Sequence, residues 1–382
     1  MLPGWQWSVT LSLCAVCAVS ANAAAQTGGA RESAATQQAL ALEQQGSWKD
    51  AETAWRRVVE QNPRDATAQA HLGLVLAHES NYAAAAAEYR AALKLDPRLP
   101  GLNLDLGLAL FKQGKMEEAI GPLKRAVAAA PESAQARILL GMSYYATSQY
   151  AAAIPYLRFA VEKTPENLEI RGVLAQACLN AKQYNCVLEQ YKLILAANPN
   201  SAQAHMLAGE ALDGMNETPQ AIEEFQAAEK VAPTEPNVHF GLGYLLWKQH
   251  RYPEAAQEFK LEIQNEPMHA QALAYLGDTE IKLENMPEAE ADLRRALHQP
   301  GAVELAWLDL GIVLAEQGKN DEAAQDFEQA IRMDPSGVDA HWRLARLDQA
   351  MGKTDAAKAE LAKARALHQQ QDQSLVQKMK AK

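Results

Sequence analysis

Small and large apolar residues recur along this chain at helical spacing and with one long period. A small residue stands at Gly73, Gly107, Gly141, Ala175, Gly209, Gly243, Gly277, Gly311 and Ala345. Twelve residues after each comes a second: Ala85, Ala119, Ala153, Val187, Ala221, Ala255, Ala289, Ala323 and Ala357. Four beyond that stands a large apolar residue: Tyr89, Leu123, Leu157, Tyr191, Phe225, Phe259, Leu293, Phe327 and Leu361. Residues four apart share a helical face, and two helices approach closely only where neither carries bulk. The pattern predicts antiparallel helix pairs, with the large residue filling the core between successive pairs.

Breakers carry the same period. Prolines at Pro63, Pro97, Pro131, Pro165, Pro199, Pro233, Pro267 and Pro335 are spaced by 34 residues or a multiple of it, which is the mark of a repeat architecture. The gap between Pro267 and Pro335 is bridged by Gly301, which follows Pro300 and keeps the phase. A residue before proline is pushed out of the helical region, so Asn62, Asp96, Asn198, Glu266 and Asp334 are predicted to end helices. Between the two helices of a unit the chain places Gly46, Gly114, Gly318 and Gly352, or Ser80, Ser148 and Asn216, where one helix ends and the chain reverses.

This constellation resembles the tetratricopeptide repeat. The stretch 100–133 carries it well, with Leu106-Gly107, Leu110, Gly114, Ala119, Leu123, Ala126 and Pro131. The resemblance implies an all-α fold, a right-handed superhelical α-solenoid of about ten helix-turn-helix repeats. In this frame the units are 32–65, 66–99, 100–133, 134–167, 168–201, 202–235, 236–269, 270–303, 304–337 and 338–371, followed by a polar tail over 372–382. A final helix is expected from Lys353 to Gln370. One unit departs from the pattern: in 168–201 Ala175 replaces the usual Gly and Val187 the usual Ala. The extra bulk at the crossing predicts a local change of hairpin angle with the repeat retained. The same unit holds Cys178 and Cys186, close across the turn. A buried free thiol is the simpler expectation for Cys178, and a disulfide between the two is the alternative.

Composition fits a helical protein. Of 382 residues, 48% are hydrophobic and only 6% aromatic, so the apolar bulk is mainly Ala and Leu. The net charge of -11, with no run of five or more basic residues, disfavours nucleic acid and lipid surfaces as partners. The first 25 residues carry no Asp, Glu, Lys or Arg, and an apolar stretch from Val9 to Ala21 precedes small residues. This predicts a signal peptide over 1–23, cleaved after Ala23 or Ala25, with a linker over 24–31 and a periplasmic or secreted mature chain. Cleavage would remove Cys14 and Cys17, and no integral membrane span is expected afterwards.

By resemblance, the first helix of each unit lines a concave groove. Its groove positions hold Leu104, Leu108 and Phe111 in the third unit, Ile138, Met142 and Tyr145 in the fourth, and Phe240, Tyr244 and Trp247 in the seventh. Large apolar side chains there suggest a surface for a protein or peptide partner, or else packing between helices. Some relatives clamp a peptide carboxylate with a key Lys in the first helix; the corresponding places here, such as Ala70, Leu104, Ile138 and Met206, are not basic. An extended or amphipathic apolar segment is the expected ligand. No catalytic, cofactor or metal-ligand spacing emerges. His71 and His78 stand seven apart on one helix without a supporting carboxylate pattern, and Glu117-Glu118 and Glu223-Glu224 sit where second helices begin and favour the helix dipole. The expectation is a non-catalytic adaptor, with a structural spacer or self-assembling solenoid as the alternative and, after these, a transferase-associated repeat protein.

Overall fold

The structure, a computed structural model, describes residues 33–380; the expected signal peptide, the linker and Cys14 and Cys17 lie outside them. The described residues form twenty helices and no strand, in two compact units divided along the chain between Ile194 and Leu195, within the tenth helix. The first unit holds α1 (Ala34–Gln44), α2 (Trp48–Gln61), α3 (Ala66–His78), α4 (Tyr82–Leu95), α5 (Leu102–Lys112), α6 (Met116–Ala129), α7 (Ala134–Ala146), α8 (Tyr150–Lys163), α9 (Leu168–Asn180) and most of α10 (Tyr184–Ala197). The second holds α11 (Ala202–Gly214), α12 (Thr218–Val231), α13 (Val238–Lys248), α14 (Tyr252–Asn265), α15 (Ala270–Lys282), α16 (Met286–Leu297), α17 (Glu304–Glu316), α18 (Asn320–Met333), α19 (Val338–Ala350) and α20 (Thr354–Lys380). Among the described residues no helix is long and apolar enough to cross a membrane.

Consecutive helices pack as hairpins, and the small positions let them close. A Cβ on Gly107 would stand 2.5 Å from the Leu123 side chain, and one on Gly277 would stand 2.5 Å from Leu293. The large residue of the second helix is therefore seated on the glycine of the first. Phe225 meets two such floors, Gly209 of its own hairpin and Gly241 of the next, so it fills the space between repeats. Where Ala175 replaces glycine, the hairpin of α9 and α10 persists, but its large residue Tyr191 is only half-buried while Tyr89, Leu123 and Phe259 are buried.

Each second helix also packs on the first helix of the following repeat within its unit, and neighbouring first helices touch: α3 with α5, α5 with α7, and the series α11, α13, α15, α17, α19. Of these, α15 and α17 meet most extensively. The intervening α16 stops at Leu297, ahead of Pro300 and Gly301.

The turns follow one rule that the sequence shows only in part. Gly46, Gly114, Gly318 and Gly352 have positive φ, and so do Ser80, Ser148, Lys182, Asn216, His250 and Glu284 at the same place in their repeats. A left-handed residue ends the first helix everywhere, including three turns whose residue type does not advertise it.

A second device recurs after the closing proline. Its carbonyl accepts a hydrogen bond from the first helix that follows: from Gln69 Nε2 to Pro63 at 3.0 Å, Arg137 Nε to Pro131 at 2.6 Å, Arg171 Nη2 to Pro165 at 3.0 Å, His239 Nε2 to Pro233 at 2.9 Å and His341 Nε2 to Pro335 at 3.1 Å. The same position reaches across to the second helix, as in Arg171 with Gln190, His205 with Glu224, His239 with Glu258 and His341 with Glu360. A carbonyl left free by the helix break is thereby given a partner. Glu224 thus turns to His205 instead of facing only solvent beside Glu223.

Two departures from the sequence expectations concern the cysteines and the end of the chain. Cys178 and Cys186 are joined by a disulfide, so Cys178 is buried but is not a free thiol. The last helix does not stop at Gln370: α20 continues to Lys380, taking in the segment expected as a tail. Nothing between Thr354 and Lys380 is Gly or Pro, and the run is rich in Ala, Lys, Leu and Gln, all good helix formers.

Candidate functional site

All nine sequence-designated residues lie on first helices and are half-buried. In the first unit, α5 places Leu104, Leu108 and Phe111, and α7 places Ile138, Met142 and Tyr145; the two helices touch. Tyr145 packs edge-on to Tyr150, with ring centroids 5.7 Å apart, and burial pushes its hydroxyl above the usual range. Phe111 is the other aromatic ring here, and the remaining side chains are Leu, Ile and Met.

The second unit differs. Phe240, Tyr244 and Trp247 on α13 gather around a ring that sequence phase did not single out, Tyr275 on α15. Centroid distances to Tyr275 are 5.8 Å, 5.5 Å and 5.2 Å, all edge-on. Such contacts carry about 1 kcal/mol each beyond the area they bury. The Trp247 indole Nε1 donates to Asp278 Oδ2 at 2.5 Å, while Lys282 Nζ lies 3.6 Å from Oδ1 of the same carboxylate.

The start of α13 is held from behind. Asn237 takes a left-handed conformation, and the fully buried Glu262 of α14 accepts the backbone N–H of Asn237 at 2.8 Å and of Phe240 at 3.0 Å. His269 donates from Nε2 to Asn237 Oδ1 at 2.9 Å, because its Nδ1 already accepts the Ala272 N–H. Phe240 thus has its backbone fixed by one carboxylate and its ring packed 5.0 Å from the His269 ring.

Burial raises two carboxyls and one phenol on the first helices of this unit. Burial pushes Glu210 on α11 up to about 7. Burial also raises Asp309 on α17 well above the usual carboxylate range, with the charge of Asp278 adding to the effect. Asp309 Oδ2 is buried without a hydrogen-bond partner among the described residues. Tyr275 is pushed up to about 12, first by burial and then by Tyr244, Asp278 and Asp309. The extensive contact of α15 with α17 brings Asp278 and Asp309 into mutual range. The available sequence signal was an acid set in the apolar middle of a first helix, as in Leu276-Gly277-Asp278 and Leu308-Asp309-Leu310.

The histidines of the first unit are structural. His71 stacks on Trp55 with centroids 4.6 Å apart and meets Glu43 through Nδ1 at 3.0 Å, and His78 stacks on Trp48 at 3.9 Å.

A family model described as tetratricopeptide repeat matches residues 36–100, 104–165, 207–266 and 240–303, and a second of the same description matches 144–211 and 314–382. No curated protein matches the chain. Among solved structures, that of MamA is 20% identical, covering 43% of this chain and 96% of its own, with a TM-score of 0.39. That of YrrB, described as a TPR protein with an unusual peptide-binding site, is 22% identical over 50% of this chain and 97% of its own, with a TM-score of 0.40. A human IFIT1 dimer with m7Gppp-AAAA is 16% identical over 86% and 88%, with a TM-score of 0.43.

Proposed function

The chain belongs to the tetratricopeptide-repeat family, and on that premise we propose that it is a non-catalytic scaffold whose first-helix surface in the second unit holds a segment of a partner protein. The family's repeats generally mediate protein–protein interaction. The observation that carries the reading is the half-buried cluster of Phe240, Tyr244, Trp247 and Tyr275, held rigidly by Glu262 and Asp278. Aromatic rings with one end packed and the other open supply contact area at low entropic cost, the usual make-up of a binding hot spot. The ligand that suits them is an extended or amphipathic apolar segment. Leu104, Leu108, Phe111, Ile138, Met142 and Tyr145 of the first unit form a second, less aromatic surface of the same kind.

The test is crosslinking capture from the native envelope with two double variants, Tyr244→Glu/Trp247→Glu and Leu108→Glu/Tyr145→Glu, each checked by circular dichroism and thermal melting. Loss of one reproducible partner in the first variant alone is expected. Capture unchanged in both sinks the proposal.

The mature chain is proposed to work outside the cytoplasm, after removal of 1–23. The uncharged, apolar start of the sequence supports this, and so does the Cys178–Cys186 disulfide, a bond that persists in oxidising compartments. Intact mass of the native protein tests it; a mass that includes the first 23 residues overturns it.

A further inference from the structure

One of the histidine brackets in the second unit carries an additional carboxylate, Glu229, that the bracket does not use. His239 on α13 donates from Nε2 to the Pro233 carbonyl at 2.9 Å, which leaves Nδ1 directed at carboxylates. Glu258 Oε2 of α14 lies 2.7 Å from Nδ1, and Glu229 Oε1 of α12 lies 4.0 Å from it. The three ligand atoms all fall within 4.8 Å of one another. Three helices of two successive repeats converge there, so no linear spacing marked the site.

We propose that Glu229, His239 and Glu258 form a binding site for a single divalent transition metal ion of the zinc or cobalt type. The ligand set is one imidazole nitrogen and two carboxylates, which leaves a fourth position open, as in many zinc centres with three protein ligands. The ring nitrogen away from the site is bonded to a backbone carbonyl, the arrangement that fixes the tautomer of metal-binding histidines.

Charge points the same way. Two carboxylates converge on one histidine, and a dication neutralises both where a single imidazolium neutralises one. Distances require only side-chain motion. Ligand atoms around a tetrahedral zinc are about 3.3 Å apart for bonds of roughly 2 Å. Glu258 must therefore withdraw slightly from 2.7 Å and Glu229 close in from 4.0 Å. Both retain solvent exposure, and the ring stays fixed by Pro233. The metal displaces the proton held between Nδ1 and Glu258.

The repeat supplies internal controls. His205 with Glu224 and His341 with Glu360 have the same two-residue geometry, at 2.7 Å and 2.6 Å. The residues equivalent to Glu229 in those repeats are Leu195 and Ile331, which offer no ligand. A second acidic group fails for a different reason: Glu262, Glu266 and His269 also converge, but the oxygens of Glu262 and Nε2 of His269 hold the start of α13, and Nδ1 of His269 caps α15.

The test is titration of the full chain with cobalt(II) alone, read by its visible absorption and by calorimetry, with zinc(II) as competitor. One ion per chain is expected, displaced by zinc, with affinity reduced at least tenfold in Glu229→Gln and lost in His239→Gln, while His341→Gln binds as the parent does. Glu229 is the most exposed of the three and takes no part in the fold's brackets, so its variant tests the site even if His239→Gln does not fold. No saturable uptake, or uptake equal in the parent and in Glu229→Gln, overturns the proposal and leaves diffuse binding to an acidic surface.

Discussion

The same two places on first helices carry different chemistries in the two units. Leu108 and Met142 in the first unit occupy the repeat position of Glu210, Tyr244 and Asp278 in the second; Phe111 and Tyr145 occupy that of Trp247. The backbone beneath is alike, since Gly107 seats Leu123 as Gly277 seats Leu293. The first unit can offer dispersion and area, which any apolar partner satisfies. The second adds an indole donor committed to Asp278, a carboxylate behind Phe240 and acids held away from water. A repeat fold thus separates the scaffold, set by the small positions, from the surface, set by outward positions that packing leaves free.

The largest effect should come from removing the ring that ties α13 to α15. Trp247→Ala is expected to destabilise the protein by about 3 kcal/mol, whereas Leu108→Ala, also half-buried, should cost about half of that. Denaturant unfolding measures both. Equal losses would break the comparison and reduce the aromatic cluster to ordinary packing.

Next comes the polar substitution at the shared position. The folded carboxyl of Glu210, at about 7, lies above its ordinary value near 4.5. Between those values the native state holds more proton than the unfolded state, so stability falls as pH rises through that window. Glu210→Gln should therefore raise stability by about 2 kcal/mol above pH 7 and lose that advantage below pH 4.5. At the equivalent place Leu108→Gln should destabilise at every pH. Melting temperatures across the range check the pair; a pH-independent effect of Glu210→Gln contradicts the burial argument.

The smallest effect concerns the turns, where the units should behave alike. Glu284 has φ of 63°, as Gly114 has 74°. Glu284→Gly is expected to stabilise by about 0.5–1 kcal/mol and Gly114→Ala to destabilise by a similar amount. Chemical denaturation resolves both signs.

The site was legible to the extent that it follows the period. Phe240, Tyr244 and Trp247 share a helical face and were found by spacing. Tyr275 was not, because it stands one residue past the repeat position of Phe240 and reaches the cluster only because α13 and α15 lie side by side. Glu229, His239 and Glu258 belong to three helices, so their meeting depends on how those helices rotate about their axes, which no spacing of 34 encodes. Lys182, His250 and Glu284 gave no residue-type signal for a left-handed turn, because the repeat around them imposes the conformation.

By itself the sequence determined the all-α repeat fold and its helix pairs, since in a stacked array each repeat contacts only its neighbours and a local pattern suffices to specify them. Tertiary structure alone decided the bonding of Cys178 to Cys186, the burial of Glu262 and Asp309 and the convergence at His239. Each of these depends on distances and orientations between side chains from different helices, and those are set by packing.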